Sequence, residues 1–255
     1  MNLTSRFFRW EDIPALHVLI SEKWRREGPR VTLHVGDFYW RLRPRPGHEP
    51  TRDIRLWHHG DGYLAGFAWW EEPQGTGGAG THRTGDGVSH TDAGDEIERI
   101  MLDWFEEEAR RRGCSQFTTG CFEGDEQRMS FLEEGGYKRT EDGDPHLLIS
   151  LERDAQPPVP PNGYSVRSIE GPHEIEQRAA VHRDAWSTWG PSSLTANVYQ
   201  KLVRIPGYRQ DLDLVALDRD GEFVSCANVW YDEELRVAEF EPVGRPPPNC
   251  TARTP

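Results

Sequence analysis

Apolar positions along the chain fall into two periodicities, and these predict the elements. Leu3–Phe8 reads as a first strand, and Leu16, Leu19, Ile20 and Trp24 lie on one face of a helix that ends before Gly28-Pro29. A second short helix is expected over 35–42. Strands over 53–58 and 63–71 flank the turn His59-Gly-Asp-Gly62 and read as a hairpin. The seven glycines between Gly75 and Gly94 predict a flexible loop. Ile97, Ile100, Met101, Trp104, Phe105 and Ala109 then form an apolar helical stripe, closed by Gly113. A strand over 116–122, a helix over 125–135 and a strand over 146–151 follow.

A Pro-rich run, 154–163, separates this half from a second in which the pattern restarts. Expected there are a strand over 164–169, helices over 174–186 and 194–203, strands over 212–217 and 223–231, and a last strand, Val237–Gly244. The order strand, helix, helix, strands recurs in the two halves as a coarse duplication. In the last strand Ala238, Phe240 and Pro242 point one way and Val237, Glu239, Glu241 and Val243 the other. Pro242 cannot donate to a ladder, so a bulge or an edge is expected at that point.

The run Glu239-Phe-Glu-Pro-Val-Gly244 resembles the fourth strand of GNAT-fold acyltransferases, in the branch that carries two such domains per chain. A second similarity lies in residues 125–137, where a helix ends Phe-Leu-Glu-Glu-Gly-Gly-Tyr, as in the second half of a GNAT domain. The resemblance implies an α/β fold (α+β, mixed sheet) built as tandem GNAT domains: a degenerate domain over 1–153, the linker, the first half of a second domain over 164–244, and an irregular tail over 245–255. It also implies acetyl transfer from acetyl-CoA to an amine of a small molecule or protein. Glu239 and Glu241 would be the candidate bases, Glu239 preferred, and Phe240, Glu241, Pro242, Val243 and Gly244 would line the thioester. A solvent-facing pair on an edge strand accounts for the two glutamates equally well.

Departures from the family pattern are as informative. In the family an Arg- and Gly-rich turn follows this strand and its amides hold pyrophosphate. Here Gly244 is followed by Arg245-Pro-Pro-Pro-Asn-Cys-Thr-Ala-Arg-Thr-Pro255, which cannot form that turn. Charge-assisted contacts of this kind contribute about 1.5–3 kcal/mol each, so cofactor binding is expected to be impaired. The tail has the composition of an out-of-frame read, and a truncated second domain is expected. Arg83-Thr-Gly-Asp-Gly87 is no substitute, because the next helix begins only near Asp95 and opens with Asp92, Asp95 and Glu96. In the first half the family's Asn and general-acid Tyr positions hold Asp125 and Leu132, and leucine has no proton to give.

Composition narrows the partners. A net charge of −13 argues against nucleic acid and favours a cationic acceptor. Four cysteines without metal-ligand spacing read as free thiols, and no apolar run approaches a membrane span, so a cytoplasmic location is expected. The histidines, at 58, 59, 82, 90, 173 and 182 among others, show no metal-ligand spacing. Trp186, Trp189 and Trp230 suit either an acceptor pocket or the core. A non-catalytic binding module is the alternative to an enzyme, and the oligomeric state is open.

Overall fold

The computed structural model describes residues 3–71, 84–91, 94–141, 143, 145–152 and 157–247. Two sheets organise it, the first mixed and the second antiparallel. The first has the order β1-β2-β3-β4-β5, from β1 (Leu3–Phe7), β2 (Ile54–His59), β3 (Leu64–Glu71), β4 (Thr84–Thr91) and β5 (Gln116–Thr119). The second has the order β6-β7-β8-β9, from β6 (Ser165–Ser168), β7 (Asp213–Leu217), β8 (Phe223–Asp232) and β9 (Val237–Gly244). Seven α-helices connect the strands of the described residues: α1 (Ile13–Glu27), α2 (Val35–Arg41), α3 (Pro50–Asp53), α4 (Asp95–Arg111), α5 (Glu126–Glu134), α6 (Ile175–Trp186) and α7 (Ala196–Leu202).

Two expectations need correction. The glycine-rich stretch is not all loop: β4 runs through it and pairs with β3 from Gly66–Thr91 to Glu71–Asp86. Backbone ladder bonds ask nothing of the side chain, so Thr-Gly-Asp-Gly-Val-Ser-His-Thr joins a sheet that its composition disfavours. The expected strand over 146–151 does not form, and Leu147, Leu148, Ile149 and Leu151 stand exposed. Residues 72–83, Asp92 and Ala93 lie outside the described residues, as do 153–156 of the linker and 248–255 of the tail.

With β4 in place the duplication is closer than the sequence pattern shows. β1-β2-β3-β4 and β6-β7-β8-β9 have the same antiparallel order, with α1, α2 and the short α3 between the first and second strands of one and α6 and α7 between those of the other. β5 adds to the first sheet in parallel, but only from Thr84–Gln116 to Gly87–Thr119, and β4 continues to Thr91 without it.

The helix stripes bury as their periodicity requires. Leu16, Leu19 and Ile20 of α1 and Ile97, Met101, Trp104 and Phe105 of α4 are all inside. One apolar cluster draws on both halves: Phe8, Leu16, Ile20, Phe38, Tyr39 and Phe67 pack with Ile175, Ala179, Tyr199, Leu202 and Trp230. Burial of this kind contributes about 25 cal/mol per Å² of apolar surface, so the halves stabilise one another.

Candidate functional site

The bulge expected at Pro242 is present on β9. Trp230 pairs with Glu239 and Val229 with Phe240, whereas Ala227 pairs with Val243. Two β9 residues, Glu241 and Pro242, thus face the single Asn228 of β8. Pro242 is buried, while Phe240 and Val243 are 60% and 56% exposed on this open-edged strand. Gly244 packs so closely on α6 that a Cβ there would stand 2.2 Å from the Trp186 ring. Such contact requires glycine.

Glu239 and Glu241 both turn toward the first half of the chain, and their environments differ. Glu239 Oε2 accepts a hydrogen bond from the Asp37 amide at 2.7 Å and lies 2.9 Å from His34 Nδ1. It therefore satisfies a free amide at the start of α2. Glu241 has no side-chain hydrogen-bond partner among the described residues, although its carbonyl accepts from Trp230 Nε1 at 2.7 Å. Burial pushes the Glu241 carboxyl up to about 7, and the charges of Asp37 and Glu239 add to this. Arg43 and Arg41 oppose the rise.

Arginines from the first half close the site. Arg41 bonds both oxygens of Asp37, at 2.8 and 2.9 Å, and Glu71 at 2.6 Å. Arg45 completes the pairing of Glu71. Burial alone would raise Glu71, but Arg41 and Arg45 outweigh it and hold the group below its usual range. The Arg43 guanidinium lies 3.8 Å over the Trp40 ring and donates to the Trp40 carbonyl. Burial and the neighbouring Arg45 lower Arg43 to about 9.

Beside this cluster, on the α6 face of the second sheet, is a group of buried polar atoms. Arg178 is fully buried and donates from Nε to Asp213 Oδ1 at 2.8 Å. Tyr199 and Tyr208 donate to the other Asp213 oxygen, the latter at 2.9 Å. Among the described residues both Arg178 Nη atoms, both side-chain polar atoms of Asn228 and His182 Nδ1 have no hydrogen-bond partner, although the Arg178 guanidinium lies 5.0 Å from the centroid of the Tyr199 ring. Each such atom left unsatisfied costs about 1–3 kcal/mol. The His182 ring stacks on Trp186, with centroids 4.2 Å apart. Burial pushes it down to about 3, helped by Arg178 and Arg43.

None of Asp37, Arg43, Arg178 or Asn228 is marked out by a sequence motif. His182 sits among the histidines considered above, where only ligand spacing could be judged. The tryptophans divide. Trp230 is 1% exposed and stacks on Tyr39, which places it in the core. Trp186 covers His182, and the Trp189 side chain lies outside the described residues. In the first half Asp125 caps α5 by accepting from the Arg128 amide, and Leu132 is buried in the core. His173 lies with Glu170 and Glu174 in a carboxylate–imidazole group, whose Glu174 is engaged by Arg167.

The strand order, with the short parallel β5 beside β4, and the bulged β9 fit one known architecture. The chain has the GCN5-related N-acetyltransferase fold. It superposes on a GCN5-related N-acetyltransferase from Sphaerobacter thermophilus with a TM-score of 0.53 and 16% identity, over 96% of this chain and 76% of that one. Smaller similarities are to an N-acetyltransferase from Staphylococcus aureus Mu50 (TM-score 0.43, 19% identity, 54% of this chain and 84% of that one) and to a Trypanosoma brucei acetyltransferase (0.39, 17%, 58% and 100%). No family model and no curated protein matches the chain. No helix of the described residues is long and apolar enough to cross a membrane.

Proposed function

We propose that the chain is an acetyl-CoA-dependent N-acetyltransferase acting on an amine, with Glu241 as the general base and the cofactor weakly held. The carrying observation is the Glu241 carboxyl itself. It is largely buried, has no side-chain hydrogen-bond partner among the described residues and is pushed up to about 7. A carboxylate in that range can remove a proton from a bound ammonium group near neutrality. Glu239, the other candidate, is engaged at the α2 N-terminus and serves to position β9.

Acetyl-CoA would supply the activated acyl group. The residues fit its two ends unequally. β9 offers an open edge with exposed Phe240 and Val243, which suits the acyl end. The residues described after it, Arg245–Pro247, include two prolines without an N–H and so form no amide cradle for pyrophosphate. This mismatch is the specific support for a second reading, in which the chain is a non-catalytic module that binds a small molecule or partner.

Titration of the chain with acetyl-CoA, followed by tryptophan fluorescence and by acetylation of a panel of small amines, tests the proposal. Saturable but weak cofactor binding, near millimolar, and turnover abolished by Glu241→Gln are expected. No saturation and no turnover would leave the binding module.

A further inference from the structure

We propose that a cavity at the seam of the two halves binds a small aromatic carboxylate. Its volume is about 250 Å³. Leu42, just after α2, and Ile205, just after α7, form its apolar wall and are 1% and 8% exposed. Trp10 stands at the rim, 48% exposed, its ring set edge-on to Phe8 with centroids 5.6 Å apart. Lys201, in the last turn of α7, and Arg204 line the cavity from the second half. The cavity shares no lining residue with the cluster around Glu239 and Glu241, so the site does not depend on acetyl transfer.

The two cations give the charge of the ligand. Acidic residues outnumber Lys and Arg by 43 to 30 in the sequence, and carboxylates are taken up wherever they are near. Arg6, Arg41, Arg45, Arg112 and Arg167 each sit on one. Lys201 and Arg204 make neither an ion pair nor a side-chain hydrogen bond among the described residues. The dipole of α7 favours cations at its end, but it calls for no apolar wall or indole opposite them. The rest of the lining selects the acidic group. Phosphate gathers amides and hydroxyls around three oxygens. Here no serine or threonine lines the cavity, and Pro44 and Pro206 bring no N–H. Two cationic side chains match the two oxygens of a carboxylate, which a guanidinium takes as a fork. An indole beside apolar side chains suits an aromatic ring. An apolar cavity of about 150 Å³ takes benzene, so about 250 Å³ holds a ring with a short acidic arm.

Calorimetry on the intact chain provides the test, with phenylacetate, phenylacetamide, acetate and phenyl phosphate as probes. Phenylacetate is expected to bind saturably and to change a tryptophan fluorescence signal that Trp10→Leu removes. Phenylacetamide lacks the charge and acetate the ring, and both should bind at least about tenfold more weakly; phenyl phosphate should gain nothing over phenylacetate. Lys201→Gln combined with Arg204→Gln removes both charges from exposed positions. This variant should unfold as cooperatively as the parent chain and bind phenylacetate at least about tenfold more weakly. Absence of saturable phenylacetate binding overturns the site, as does binding that the double substitution leaves intact. Acetate binding as tightly as phenylacetate, or phenyl phosphate binding more tightly, would overturn the aromatic carboxylate as its ligand.

Discussion

Glu239 on β9 caps α2 across the two halves of the chain, its Oε2 lying 2.7 Å from the Asp37 amide. The acceptor is a carboxylate oxygen on the terminal strand of the second sheet, and the donor opens a helix of the first half that packs against β8 and β9. Removing it strands that amide and frees β9 from its only carboxylate link to α2 among the described residues. Glu239→Ala should therefore cost about 1–2 kcal/mol. Glu239→Gln keeps an acceptor oxygen and should cost less. Urea unfolding of the two variants checks the order; equal losses would mean that charge, rather than the cap, matters.

Gly36 makes that approach possible. A Cβ at this position would stand 2.6 Å from both Trp230 Cβ and Glu239 Oε2. Gly36→Ala adds helix propensity in α2 but forces α2 away from β8 and β9, and overpacking of this kind costs about 1–3 kcal/mol. A lower Tm, together with altered fluorescence from Trp230, is the expected result.

These contacts show where sequence reading reaches and where it stops. The stripe from Ile97 to Ala109 and the bulge at Pro242 were legible because each follows from a local rule: helical period in one, a missing N–H in the other. β4 was hidden because its glycines advertise a loop while β3 supplies the ladder that makes a strand. The run 146–151 misled in the opposite direction, being apolar without a neighbour to pair with. The Glu239–Asp37 and Arg178–Asp213 pairs span the chain, 202 and 35 residues apart, and no local pattern encodes them. Glu239 looked the better base on family grounds, and only the difference in hydrogen bonding between two neighbouring glutamates shifts the proposal to Glu241.

Glu241 makes stability depend on pH in a direction opposite to that of most carboxylates. Its folded pKa, about 7, lies above the ordinary value of 4.5, mainly through burial. The folded chain therefore holds this proton more tightly than the unfolded chain does. The contribution is fully present below pH 4.5 and is lost as pH rises through 7. Glu241→Gln removes the titration, so the variant should gain on the parent chain by up to about 3 kcal/mol between pH 4.5 and pH 8. Denaturant midpoints across that range would test this, and a constant difference would refute it.

The Arg178–Asp213 pair is fully buried, and its two ends are unequally supported. Asp213 also accepts from the hydroxyls of Tyr199 and Tyr208, whereas Arg178 Nη1 and Nη2 have no hydrogen-bond partner among the described residues and the guanidinium has the Tyr199 ring beside it. Breaking a buried pair from one side costs about 3–5 kcal/mol, because the remaining charge stays in a poorly solvating interior. That remainder is worse for the arginine, which cannot shed its proton, than for a carboxylate held by two phenols or able to protonate. Asp213→Asn should therefore destabilise more than Arg178→Met. The double variant should fall short of the sum of the two, since neither charge is then left alone. Additive losses in a double-mutant cycle would show that the pair contributes through packing, with its charges uncoupled.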